Sequence, residues 1–456
     1  VTNGILGLLF TGGRKENSII CRKSYNWNQE KANSYENVIN EGRRKKEMSE
    51  TNNKQKKIKF EALMYIICGC ILSMGAIHMD TINWILPQVA TDLASGHSTL
   101  MVTSGFFYGM MIGHVVVGPL SDMIGKKKTM ILGFVVCILG AIVGGTSGSL
   151  GGLIVARLIQ GIGGAASSNA ARAIGGDAGK GKKSAITLTF MQIWSGALPI
   201  ILPLSGKWVG NAMGWQAIFW LQAIICGILC VLVLLFVAET SQIAGKGCIK
   251  RLTSEVKACL LTPEYVFFVI CFAFNMALFF CYAGSASFAM VTELGMDNNA
   301  YANMYAINAA TMVVSAAIGR AIAAKVSPGK IVRILNVCQM AVAILISVSF
   351  MQGVASYSWL QFVWWVFPFI QGMTLPVAMS LVMNASGKAT GTGAAFMGFV
   401  QYLFSSITTT MLASIKEGGS IGSVIGWIMA ACALFSIISC TIGLHFLKKK
   451  DAEAAG

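Results

Sequence analysis

The sequence predicts an all-α integral membrane protein with twelve transmembrane helices in two six-helix halves. Three observations carry this reading. The 456-residue chain is 55% hydrophobic and only 12% charged, whereas soluble domains carry about 25% charged residues. Its mean hydropathy is +0.66. The apolar residues fall in long unbroken runs rather than in alternation, which favours helices over a β-barrel. At about 20 residues per span, the runs after residue 59 supply about twelve spans.

Residues 1–59 are polar, rich in Lys, Glu and Asn, and read as a disordered cytoplasmic tail. Ile5 to Phe10 is too short for a signal peptide or a span. The chain opens with Val1, and Met48 offers a later start for a short tail.

The N-terminal half covers residues 60–238. Its first helix is expected over Phe60–Ala90, with Asp80 deep inside it, and the next three over Ser98–Leu120, Thr129–Gly145 and Leu150–Ala173. A polar loop with Lys180, Lys182 and Lys183 precedes the fifth helix, which ends near Val209; the sixth spans Trp215–Val237. Residues 239–264 form a basic linker with Lys246, Lys250, Arg251 and Lys257. The C-terminal half, 265–446, holds six more runs: Tyr265–Val291, Tyr301–Ala324, Ile331–Met351, Trp359–Met383, Gly393–Ile415 and Ile421–Phe446. A short tail, 447–456, ends the chain.

Charge sets the expected topology. The net charge is +16, and the excess sits in the tail and in alternate loops. Among the loops assigned to the outside, only Lys416 is basic. Positive-inside bias therefore places both termini in the cytoplasm. It also explains the basic balance without nucleic acid, for which no aromatic-interleaved groove is visible. The 13 cysteines lie mostly within apolar runs and show no paired Cys-x-x-Cys spacing, so they read as inert thiols with no disulfide framework and no metal site.

One turn stands out. Gly118-Pro119-Leu120-Ser121-Asp122-Met123-Ile124-Gly125-Lys126-Lys127-Lys128 joins the second and third helices. Gly118 allows a neighbouring helix to approach, Asp122 is an acceptor beside a helix start, Gly125 permits a backbone angle that other residues resist, and the lysines hold the turn in the cytoplasm. This pattern resembles the signature loop of the major facilitator superfamily, Gly-x-x-x-Asp-x-x-Gly-(Arg/Lys)-(Arg/Lys), with Met123 where the family often has Arg. The resemblance implies the major facilitator fold, with a substrate path between two parallel repeats. Gly319 to Lys330 is a degenerate echo of the loop in the second half.

Two intramembrane charges invite chemistry. Asp80 is the candidate proton site, because a carboxylate inside a span is costly and functional by default; the alternative is a hydrated, structural Asp near the outer interface. Asn83 and Trp84 follow at i+3 and i+4 and are expected on its face, as an amide and an aromatic wall. Arg157, Gln160, Gly161 and Gly164 share a face of the fourth helix and resemble the superfamily's Arg-x-x-Gln-Gly motif, which implies proton coupling by Arg157. The alternative is an arginine that snorkels to water at the outer surface. Arg172 and Asp177 are expected as gate or loop ion pairs. Tyr108, Gln192, Tyr282, Asn308, Gln371 and Gln401 are candidate cavity residues, each also explicable as a helix–helix contact. In the fifth helix, Pro203 and Gly206 match the antiporter pattern Gly-Pro-x-x-Gly-Gly only weakly.

A finer resemblance covers Phe60 to Phe446. Asp80 with Pro87, Gly118 to Asp122, Ala171-Arg172-Ala173-Ile174 with Asp177, Gly214 to Phe219, Tyr282 to Phe288, Ala306 to Ala309 and Leu375 to Met379 are similar to the Bcr/CflA drug-resistance transporters. That implies export of small amphipathic compounds by proton antiport in the cell membrane. It implies a monomer whose partners are substrate, protons and the bilayer, with no cofactor beyond the proton gradient. Uptake of a metabolite, proton-coupled or facilitative, stays open. An enzyme is disfavoured, since the chain has no His-Glu-x-x-His and no Gly-x-x-x-x-Gly-Lys-Ser/Thr, and a non-transporting receptor would be told apart by flux.

Overall fold

The computed structural model describes residues 60–177, 182–240, 248–323, 325–353, 357–386, 390–415 and 420–455. The predicted tail 1–59 lies outside them. The described residues form helices joined by short turns, with no strand among them. In the N-terminal half, α1 (Phe60–Leu72), α2 (Met74–Met79) and α3 (Leu86–Asp92) make the first span, and α4 (Leu100–Ile124), α5 (Lys126–Thr146), α6 (Leu150–Gly176), α7 (Lys182–Met213) and α8 (Gln216–Phe236) follow. After the short α9 (Cys248–Leu260) come α10 (Pro263–Ser287), α11 (Asn298–Ala323), α12 (Pro328–Met351), α13 (Tyr357–Ala385), α14 (Thr390–Ala413) and α15 (Ile421–Ala455).

Nine of the described helices are long and apolar enough to cross a membrane, ten with the bent first span. Two further helices, α7 and α14, have 32 and 24 residues, also long enough to span. The set is the twelve-helix arrangement of two six-helix halves expected from the sequence.

Small residues set the helix spacing. Gly105, Gly109 and Gly113 recur every fourth residue along α4, on the face that meets α6. A Cβ at Gly109 would stand 2.1 Å from the Leu158 carbonyl oxygen, and one at Gly161 would stand 2.3 Å from that of Phe106. The two backbones touch because neither carries a side chain there, the usual means of packing helices in lipid.

The first span departs from the expected continuous helix. Its two parts bend by 45° near Ser73, and the coil breaks again at Asp80. Ile82 donates its amide to Met79 O rather than to His78 O, and Ile85 donates to Ile82 O rather than to Thr81 O. A short 3-10 turn, Asn83–Ile85, then leads into α3. Two local features favour the break. Thr81 Oγ1 back-bonds to Ile77 O at 2.8 Å, and Pro87 has no amide to donate to Asn83 O. The carbonyls of His78 and Thr81 are left for other donors.

The linker also differs from a plain polar loop. It carries α9, whose Glu255 accepts a 2.5 Å bond from Thr392 Oγ1 of α14 and whose Cys259 is buried against Tyr265 and Phe268. The final helix continues through the predicted tail to Ala455, and Lys450 pairs with the buried Glu264 at 2.5 Å.

Candidate functional site

The break in the first span is where the polar groups gather. Arg157 Nη1 donates to the freed His78 carbonyl at 2.6 Å and to Gln160 Oε1 at 3.0 Å. Gln222 Nε2 donates to the same carbonyl at 3.3 Å and to Thr81 Oγ1 at 2.7 Å, and Gln160 Nε2 donates to Gln222 Oε1 at 2.9 Å. The Arg157 guanidinium lies 4.9 Å from the centre of the Phe219 ring and is 1% exposed. Arg157 therefore does not snorkel: it holds the broken helix end, as a charged donor does at a helix C-terminus. Its second amino group, Nη2, finds no hydrogen-bond partner among the described residues.

Asp80 sits at this break and faces the other half. Tyr305 Oη on α11 donates to Asp80 Oδ1 at 2.9 Å. Asp80 makes no ion pair among the described residues. The Tyr301 ring is tilted against that of Tyr305 with centres 6.2 Å apart, and its buried hydroxyl has no hydrogen-bond partner among the described residues. Asn83 also reaches across, donating to Ala283 O on α10 at 3.2 Å. A carboxyl in this position can take up and release a proton without breaking a salt bridge.

Several expected site residues stand elsewhere. Trp84 does not share a wall with Asp80, because the break cancels the i, i+4 geometry. Its indole donates to Thr81 O at 2.9 Å and its ring packs where Gly210 of α7 leaves space. Gln371 does not face the other half. It donates to Asn275 O at 2.9 Å and accepts from Gln339, tying α13 to α10 and α12. Tyr282 and Asn308 bond each other at 2.7 Å, and Tyr282 packs on Trp364 and Phe367 inside the C-terminal half. Gln401 is buried on α14. The side chains of Gln192, Gly118 and Asp122 fall outside the described ones.

Tyr108 does join the halves, at 3.3 Å from Thr410 Oγ1. It belongs to a set that sequence reasoning did not assemble. Ser104 donates to Thr409 at 2.9 Å, His97 meets Ile415 O at 3.3 Å, Lys207 donates to Asn303 at 3.1 Å, and Asn211 donates to Asn299 at 2.5 Å. These residues occupy the ends of their helices remote from the Lys126–Lys128 turn. Deeper in, Phe107, Phe280 and Tyr402 form an aromatic plug between the halves, with ring centres 4.5 to 6.0 Å apart.

The basic turn is organised around a residue that the sequence did not single out. Gly125 has φ of 98°, the backbone angle foreseen for it. The acceptor at the start of α5 is Glu239, whose two carboxylate oxygens take the amides of Lys126 and Lys127 at 3.0 Å each. Asp177 pairs with Lys126 and accepts from Thr240 at 2.6 Å. Glu239 and Thr240 begin the linker, so this latch ties it to α5 and α6. Arg172 is half-buried near the same end of α6 and makes no ion pair among the described residues.

Among the missed residues, Gln222 carried a signal: it is an uncharged amide inside an otherwise apolar run, Ala217 to Phe236. Tyr305 lies one residue before the Ala306 to Ala309 stretch and had none of its own.

Comparison with known proteins agrees with this architecture. The pattern of the Major Facilitator Superfamily matches residues 63–409, and the chain belongs to that family. It is 23% identical over 412 residues to the bicyclomycin resistance protein homolog of Haemophilus influenzae, covering 85% of this chain and 98% of that one. It is 22% identical over 381 residues to the multidrug resistance protein MdtL of Shigella dysenteriae, covering 82% and 94%. Among solved structures it is similar to a D-xylose-proton symporter, with a TM-score of 0.65 at 15% identity, covering 85% and 98%. The chain is thus a multi-pass membrane transporter and not an enzyme.

Proposed function

We propose that this member of the superfamily is a secondary active transporter that exports small amphipathic compounds in exchange for protons. The observation that carries the reading is Asp80, a carboxyl at a helix break whose hydrogen-bond partner, Tyr305, belongs to the opposite half. Protonation of Asp80 weakens its acceptor character toward Tyr305, so proton binding is coupled to how the halves meet. Arg157 acts as a positioning residue that keeps the break in place.

Alternating access follows naturally. The polar contacts near Ser104, Lys207 and Asn211 close the end remote from the basic turn, and they must part when the halves rock. The Lys126–Asp177–Glu239 latch lies at the other end, with Gly118, Asp122, Gly125 and Lys127 completing the turn. Arg172 belongs to the same end. Positive-inside bias puts the turn and both termini in the cytoplasm of a cell membrane. The drug-like substrate class is supported by the names of the two bacterial relatives and by the Phe107–Phe280–Tyr402 plug, which offers aromatic faces to apolar or cationic ligands.

The test uses purified protein in proteoliposomes with an imposed proton gradient and an internal pH-sensitive dye. Cationic, neutral and anionic amphiphiles are added in turn. Proton movement that depends on one charge class supports the exchange reading and identifies the class. Substrate movement without proton movement would make this a facilitator, and accumulation driven in the direction of the proton would make it an uptake system.

A further inference from the structure

Three soft ligand atoms converge inside the N-terminal half. His78 is near the end of α2, Cys137 lies on α5 and Cys226 on α8, and all three are fully buried. The imidazole nitrogen and the two sulfurs lie within 4.8 Å of one another. Cys226 Sγ is 3.9 Å from His78 Nε2. Local spacing does not reveal the group, because metal-ligand spacing is read along one segment and these residues come from three helices.

The surroundings orient the group as an outer shell orients a metal ligand. His78 Nδ1 is 3.4 Å from Gln222 Oε1, and that amide is fixed in turn by its bond to Thr81 Oγ1. With the Nδ1 proton facing an amide oxygen, Nε2 presents its lone pair to the sulfurs, the arrangement that ligating histidines adopt. Gly163 makes room for Cys137: a Cβ there would stand 2.7 Å from the Cys137 sulfur.

We propose that His78, Cys137 and Cys226 form a buried site for a thiophilic monovalent ion, Cu⁺ in preference to Zn²⁺. Ligand softness selects these two metals, and coordination number separates them. Zinc takes four ligands, a water filling the fourth position where the protein supplies three, whereas these three residues are fully buried and no fourth His, Cys, Asp or Glu joins them among the described residues. The side-chain oxygen of Gln222 already accepts from Gln160 at 2.9 Å, and the Gln160 carbonyl oxygen stays 3.5 Å from the Cys137 sulfur. Metal bonds of about 2.3 Å to sulfur and about 2.05 Å to nitrogen, set 120° apart, separate the two ligand atoms by about 3.8 Å, close to the 3.9 Å between Cys226 and His78. Binding is not a redox step. Cu⁺ replaces the two thiol protons, which leave to water, and the bis-thiolate complex carries one negative charge. The Arg157 guanidinium, bonded to the His78 carbonyl at 2.6 Å, offsets that charge. A bound ion would pin the end of α2, two residues before Asp80, to α5 and α8.

The experiment loads the full chain, in detergent and under anaerobic reducing conditions, with Cu⁺ against a colorimetric Cu⁺ chelator. About one equivalent should resist the chelator in the wild type and in Cys281→Ser, which removes a buried thiol of the other half. Cys137→Ser and Cys226→Ser should each release it. X-ray absorption on the loaded wild type should show two sulfur scatterers and one nitrogen, a readout that does not depend on the variants folding. Copper retained equally by the Cys137→Ser/Cys226→Ser double variant, no retained copper, or Zn²⁺ held in preference to Cu⁺ would each overturn the assignment.

Discussion

Asp80 on the first span and Tyr305 on α11 are bonded at 2.9 Å although 225 positions apart in the chain. Tyr305→Phe deletes the donor and leaves the ring, so the fold should survive. A neutral-to-carboxyl bond of this kind contributes about 1 kcal/mol, enough to change the balance between the two access states about fivefold. Transport rates of Tyr305→Phe should therefore shift severalfold while proton coupling persists, measured as the ratio of protons to substrate moved in proteoliposomes.

Arg157 should be the more damaging position for stability. Arg157→Ala removes both its hydrogen bonds and its contact with Phe219, and it leaves a void at a helix end. A loss of roughly 2–4 kcal/mol is expected, read as a clear fall in melting temperature in detergent. Arg157→Lys should recover only part of it, because one ammonium cannot reproduce the planar two-direction donor.

The α4–α6 seam predicts a sharp contrast between glycines. Gly109→Ala drives a methyl to within 2.1 Å of the Leu158 carbonyl oxygen, a backbone atom that cannot turn aside, so the variant should express poorly or melt several degrees lower. Gly148→Ala meets nothing within 4 Å and should behave as wild type in the same assay.

At the basic turn, Glu239→Gln keeps the size of the side chain but removes the charge that caps α5. Helix-end charges of this type contribute about 0.3–1 kcal/mol. Transport by Glu239→Gln should become less sensitive to added salt than that of the wild type, since a screened interaction has been removed. Equal salt sensitivity in the two proteins would show that the latch plays no part in the cycle.

The spans, the halves and the Gly125 turn were legible because burial in lipid leaves long apolar runs and strong charge asymmetry in the sequence. The inner geometry was not. Asn83 and Trp84 fit one face of a helix only while that helix stays regular, and amides that donate to Met79 and Ile82 instead of the expected carbonyls end that assumption. Gln371 illustrates a second limit: a buried amide in a span satisfies itself on whichever neighbour is nearest, here Asn275 and Gln339 rather than a cavity. The Glu239 cap shows a third, because a residue 113 positions away supplied the acceptor that local reading assigned to Asp122.

The most direct test of the account is Asp80→Asn. Proteoliposomes carrying this variant are given an amphiphile that moves protons in the wild type, while binding is followed by intrinsic tryptophan fluorescence. Binding should survive and substrate-dependent proton movement should disappear. Unchanged proton movement in Asp80→Asn would contradict the account and place the proton on another group.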